Sequence, residues 1–204
     1  MKNIILTSIA IIFNFSIYAQ YPTMPLESKV PFEVQPDAYY KDTGNVLNQF
    51  EGTWLYTNGT TSLKIVLVKQ PQVFDSNYGG FYEDLIIGEY QYIENGVEKI
   101  NTLSNIGLNL GYGHKIYGNS IYRDCNYMTW DDCTEGEARL MLGLTDANPE
   151  KSHYAIMAIK KRRINGLHAL KVFISFKYVG TYQENVPTPS PTLPWQQEYI
   201  MFKQ

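Results

Sequence analysis

The chain has 204 residues, of which 44% are hydrophobic, 18% charged and 14% aromatic. That balance fits one globular domain and excludes a disordered chain. Against 20 acidic residues the 17 basic ones leave no excess to neutralise phosphates, which argues against a nucleic-acid partner.

In chain order, Lys2 precedes an apolar run from Ile4 to Phe15, followed by Ser16-Ile17-Tyr18-Ala19. A cation, a short apolar stretch and a small residue at the cut are the parts of a signal peptide. The run falls short of the roughly 20 apolar residues of a membrane helix, and Thr7, Ser8 and Asn14 interrupt it. Residues 1–19 are therefore expected to be removed near Ala19. The mature chain would be periplasmic or extracellular, begin at Gln20 and have no transmembrane segment.

Residues 20–44 carry Pro22, Pro25, Pro31 and Pro36, a spacing that suits neither helix nor central strand, so an extended arm is expected. Its apolar Val30, Phe32 and Val34 alternate, as they would along a sheet edge. Asp42-Thr43-Gly44-Asn45 then offers capping groups to a single helical turn through Val46, Leu47 and Phe50, ending before Gly52.

From residue 45 to 204 the chain is expected to be one all-β domain. Strands are predicted at Thr53–Thr57 and Thr61–Lys69, joined at Asn58-Gly59, and at Glu83–Ile93 and Val97–Leu103, joined at Glu94-Asn95-Gly96. Two more lie near Lys115–Tyr122 and Ala138–Leu144. The last three are Tyr154–Lys161, Leu167–Tyr178 and Gln196–Phe202, the first two of these joined at Ile164-Asn165-Gly166. Between the last two, residues 186–194 place proline at nearly alternate positions, a stiff connector expected to cross one mouth of the domain. Nine strands with no room for crossover helices point to an antiparallel up-and-down barrel, with a two-sheet β-sandwich as the alternative.

The clearest alternation sets Leu170, Val172, Ile174, Phe176 and Tyr178 on a core face against Lys171, Phe173, Ser175 and Lys177 on a wet one. Outward lysines count against a lipid-facing barrel, where each would cost about 2–4 kcal/mol near the midplane.

Cys125 and Cys133 are the only two cysteines, and in an exported chain a pair this close is expected to form a disulfide. A redox or metal role would need a CxxC or nearby histidines, and neither is present.

A helical turn followed by Gly52-Thr53-Trp54 at the head of the first long strand resembles the G-x-W signature of the lipocalins and related calycin barrels. Thr145-Asp146 ahead of Tyr154-Ala155-Ile156 is similar to the Thr-Asp turn and following strand of that family. The resemblance implies that Trp54 plugs the closed end of a barrel beneath an arginine, a role it would offer to Arg162 or Arg163. The Ala-Gln junction, the Gly-Thr-Trp start and the tyrosine-rich strands also look like uncharacterised exported proteins of Bacteroidota.

Catalytic ingredients are sparse. His114, His153 and His168 are the three histidines, and none has the spacing of a metal pair on a strand or helix. Gly107, Gly111, Gly113 and Gly118 precede no strand-to-helix junction, so they do not form a phosphate-binding loop. Asp124, Asp131, Asp132 and Glu135 crowd the cysteine loop and read as solvated turn residues. Glu83, Asp84 and Glu89 are available carboxylates that nothing singles out. No cofactor is expected, and the balance leans against catalysis.

Tyrosine carries the remaining signal, since 17 residues of this type offer broad apolar faces with polar tips. Tyr112 and Tyr117, with Trp195 after the proline connector, are the expected ligand surface, because loops at one rim commonly bind while strands supply rigidity. Two readings follow. One is a non-catalytic binding protein, expected to be monomeric, that holds a small apolar or amphipathic molecule. The other is a module with a packed interior that meets an extracellular protein or glycan on its outer surface.

Overall fold

Alternating polar and apolar residues bury one face of a strand and wet the other, and β-branched and aromatic side chains pack well on that pleat. The computed structural model describes residues 21–30, 32–126, 132–148, 153–178, 190–194 and 196–204, and eleven strands form within them. They are β1 (Thr23–Pro25), β2 (Tyr39–Lys41), β3 (Gly52–Asn58), β4 (Thr61–Asp75), β5 (Phe81–Glu94) and β6 (Val97–Asn101). β7 (Ile116–Tyr122), β8 (Arg139–Thr145), β9 (His153–Ile164), β10 (Leu167–Tyr178) and β11 (Gln197–Lys203) complete the set.

Eight of these strands close a ring in the order β5-β4-β3-β11-β10-β9-β8-β7, and β7 returns to β5 through Ile86–Gly118, Ile87–Tyr117 and Gly88–Ile116. Each neighbour in the ring is antiparallel, so the expected up-and-down barrel forms. The expected count of nine strands is corrected at β6, which lies outside the ring. The second edge of β5 is shared three ways: β2 runs parallel along its start, β7 pairs its middle and β6 its end. β4 also runs past the expected Lys69 to Asp75. A bulge between Gln70 and Val73, with Gln72 at φ 54°, takes Pro71 out of the ladder, where its missing N–H costs nothing.

Among the described residues the inward side chains pack closely. Leu63, Ile86, Ile116, Met157, Val172 and Met201 each have 0% exposure, so no water-sized space lies beside them. Leu170, Val172 and Ile174 take the predicted core face, with Lys171, Phe173 and Ser175 outward.

One barrel end is closed by the turn at Leu47–Phe50, whose Leu47 and Phe50 are fully buried. Asp42 holds the turn by accepting the N–H groups of Val46 at 2.8 Å and Leu47 at 2.9 Å. Trp54 is buried beneath it and donates Nε1–H to the Phe50 carbonyl at 2.9 Å. The cation over the indole is Lys203, 5.5 Å from the ring centroid, and not Arg162 or Arg163. β11 pairs directly with β3, Lys203 opposite Trp54, whereas both arginines sit on β9, separated from β3 by β11 and β10. Arg162 is taken up by Asp132 and Glu137, and Arg163 is exposed beside His168.

At the other end the described part of the proline connector lies over the barrel, with Leu193 buried in the core. Asp146 accepts the Thr192 N–H at 2.7 Å, and the Tyr199 hydroxyl donates to the Pro194 carbonyl at 2.7 Å. Connector residues 186–189 and the expected signal peptide, residues 1–19, lie outside the described residues.

In the arm, the edge contact is made by Thr23–Pro25 and Tyr39–Lys41 and not by the alternating Val30–Val34 stretch, where Val30 and Phe32 are exposed. Cys125 and Cys133 form the expected disulfide, with Cα atoms 5.8 Å apart. Among the described residues no helix is long and apolar enough to cross a membrane.

Candidate functional site

β5 is buried on both faces, which a strand at a wet barrel surface would not be. Ile86, Tyr90 and Tyr92 face the core, while Leu85 and Ile87 pack with Val73, Ile106 and Tyr112 in a separate cluster on the outer face. The cover is the segment 103–114 between β6 and β7. His114 anchors it: the buried imidazole has Nδ1 2.8 Å from the buried Glu89 Oε1 and Nε2 3.0 Å from the Leu108 carbonyl oxygen.

Beside this cover the barrel seam opens. β5 and β7 pair over three residues only, and β7 then bulges between Tyr117 and Ser120. Gly118 makes the bulge possible with φ 143°, and a Cβ there would meet the Leu142 backbone at 3.3 Å. The bulge leaves Asn119 buried, donating from Nδ2 to the Asp84 carbonyl at 2.8 Å and accepting Lys29 on Oδ1 at 3.2 Å.

The result is a cleft of about 300 Å³ on the outer wall, lined from β4, β5, β7, β8 and β9. Tyr112 and Tyr117 stand edge to face in it, with centroids 5.7 Å apart. Tyr154 joins them, in hydrogen-bond reach of Tyr117. The two rings from β7 and β9 converge over Gly143, where a Cβ would stand 2.7 Å from the Tyr154 hydroxyl and 3.2 Å from the Tyr117 ring. Leu85, Met141 and Ile156 supply apolar surface, and Asp75 and Glu83 supply carboxylates.

Glu83 is buried at 2% exposure and is held by two donors, the Tyr112 hydroxyl and the Lys29 ammonium of the arm. Burial pushes the Tyr112 phenol far above its usual range, and the charges of Glu83 and Asp75 push the same way. Burial also raises the Tyr154 phenol, helped by Tyr117. Such phenols stay neutral donors. Among the described residues no histidine lines the cleft, and no group of three His, Cys, Asp or Glu side chains is placed to hold a metal. The arrangement can bind, through ring faces, an apolar floor and hydrogen-bond acceptors.

Of the expected ligand surface, Tyr112 and Tyr117 share this cleft, while Trp195 lies outside the described residues. Sequence reasoning missed Tyr154, Asp75 and Asn119, which sequence separation hides. Gly143 was legible in principle: a glycine between Leu142 and Leu144 in a strand marks a place where another group comes close to the backbone. Of the acids near the cysteines, Asp132 is bound by Lys160 at 2.5 Å, Arg162 at 3.1 Å and Lys171 at 3.2 Å.

A model of a family of unknown function (DUF6705) matches residues 1–204. No curated protein and no solved structure matches the chain.

Proposed function

The chain belongs to this family of unknown function along its whole length; membership names no activity, and from the geometry we propose an exported, non-catalytic binding protein that holds a small amphipathic molecule in the outer-wall cleft. The observation that carries the reading is the open, tyrosine-walled cavity of about 300 Å³ on the outer wall, beside inward side chains that are buried among the described residues. Export is supported by the Cys125–Cys133 disulfide, which persists in oxidising compartments, and by the signal-peptide pattern of residues 1–19. A lipocalin-like origin is supported by the Gly52-x-Trp54 start and by the closing β11–β3 pair. The difference is the location of the site, outside the wall instead of within it.

The alternative of a protein or glycan contact has its own observation. Phe32, Phe74 and Tyr78 are 79%, 53% and 51% exposed, and with Tyr21 and Tyr82 they form paired rings on the outer surface.

Native mass spectrometry of protein purified from its own host tests the cleft. The wild type is expected to retain a small-molecule adduct that Tyr117→Ala and Gly143→Ala both lose while remaining folded. An adduct kept by both variants, or absent from the wild type, rejects the cleft as the binding site.

A further inference from the structure

The chemistry of the cleft wall selects among amphipathic molecules. We propose that its ligand carries an organic ammonium group, with Asp75 as counter-ion, a step that rests on the cleft being the binding site.

Among the described residues, those lining the cavity include two carboxylates, Asp75 and Glu83, and no lysine, arginine or histidine. The two acids are not equivalent. Glu83 is buried and already neutralised by Lys29, which approaches from the arm. Asp75 is half-buried at the rim and accepts from neutral donors, the Asn77 N–H at 2.8 Å and the Asn77 amide at 2.6 Å. Its charge therefore faces the cavity with no cation beside it among the described residues of the wall. An anionic ligand would meet the Asp75 carboxylate at short range and lose its hydration for nothing in return. A neutral one would leave the Asp75 charge unused.

The rings point to the same sign. Tyr112, Tyr117 and Tyr154 form one contiguous aromatic wall, and ring faces carry negative potential that attracts ammonium groups. Tyr112 also donates a hydrogen bond to Glu83, which places electron density on its ring. Leu85, Met141 and Ile156 take an alkyl or aryl tail. Aromatic wall, apolar floor and one uncompensated carboxylate together complement an alkyl- or arylammonium.

Three probes share a phenyl ring and a two-carbon stem: 2-phenylethylammonium, 2-phenylethanol and 3-phenylpropanoate. Each is titrated into the disulfide-bonded chain while backbone amide resonances are followed by NMR. The ammonium is expected to bind about tenfold tighter than the alcohol, with the carboxylate weakest, and to shift residues around Tyr112 and Tyr117. Asp75→Asn should bring the ammonium to the alcohol's affinity and leave the alcohol unchanged. Raising sodium chloride to about 0.5 M should weaken the ammonium alone, a check that needs no variant. Equal binding of ammonium and alcohol by the wild type, or a preference untouched by Asp75→Asn, overturns the ammonium assignment while the cleft reading stands. No shift around the cleft with any probe overturns both.

Discussion

At Gly52 the backbone takes φ 130°, and a Cβ there would stand 2.8 Å from the Lys203 Cε that reaches across to Trp54. The G-x-W pattern thus has a local steric cause: the residue before the tryptophan's neighbour must be bare so that a long cationic side chain can lie over the indole. Trp54 in turn supplies area, a ring face and the N–H that satisfies the Phe50 carbonyl. Trp54→Ala should cost about 3–5 kcal/mol of unfolding free energy, a large part of what a domain this size has. Lys203→Met keeps the apolar stem and loses the cation, worth about 0.5–1 kcal/mol at an accessible site. Urea melts of the two variants check the order, and equal losses would show that Trp54 is not the plug of this end.

Among elements, the described residues of the stretch between β7 and β8 are tied at three points. Arg123 binds Glu27 of the arm, the disulfide closes Cys125 to Cys133, and Asp132 takes Lys160, Arg162 and Lys171 from β9 and β10. Replacing both cysteines by serine should lower stability by about 2.6 kcal/mol through unfolded-chain entropy, without loss of the barrel, since no ring strand depends on the bond. Circular dichroism melts of the double variant check it, and a chain that no longer folds would make the bond a condition of the fold. The hydrogen bond from Lys160, with those from Lys171 and Arg162, holds the Asp132 carboxyl far below the usual range. A group depressed in the folded state stabilises above its unfolded pKa and loses that contribution as pH falls. The stability gap between wild type and Asp132→Asn should therefore be widest above about pH 4–5 and shrink steadily in stronger acid. A gap that grows on acidification would exclude Asp132 as the anchor.

Across the whole molecule, tyrosine is both wall and core, and the core tyrosines set an alkaline limit. Burial raises Tyr199 to about 12, against the Gln197 hydrogen bond that lowers it, and burial with the Glu94 charge raises Tyr92 to about 12. The unfolded chain ionises these phenols near 10, so their contribution is whole below that pH and is lost as pH rises from about 10 to 12. Absorbance at phenolate wavelengths should rise in two stages, surface phenols first and the buried ones together with loss of the barrel. A single smooth titration with the fold intact would place Tyr92 and Tyr199 in contact with solvent.

Much of this architecture is local in origin and so was legible in the sequence. Period-two runs broken by Asn95-Gly96 and Asn165-Gly166 placed the hairpins, and both pairs adopt positive φ, as such turns demand. Nearest-neighbour antiparallel order follows from short links, and Cys125 pairs with Cys133 because little chain separates them. Other features depend on how registers add up around a closed ring. That sum left β6 outside it, put Lys203 and not Arg162 or Arg163 over Trp54, and opened the seam at Asn119. It also brought Asp75, Tyr112, Tyr117 and Tyr154 to one cleft. Period and turn chemistry act over a few residues, whereas a side chain's partners across a barrel are set by strand stagger, where a one-residue slip exchanges the two faces. The long strands and the antiparallel barrel therefore came from the sequence alone, while the outlying β1 and β2, the place of β6 and the composition of the cleft came only from the closed barrel.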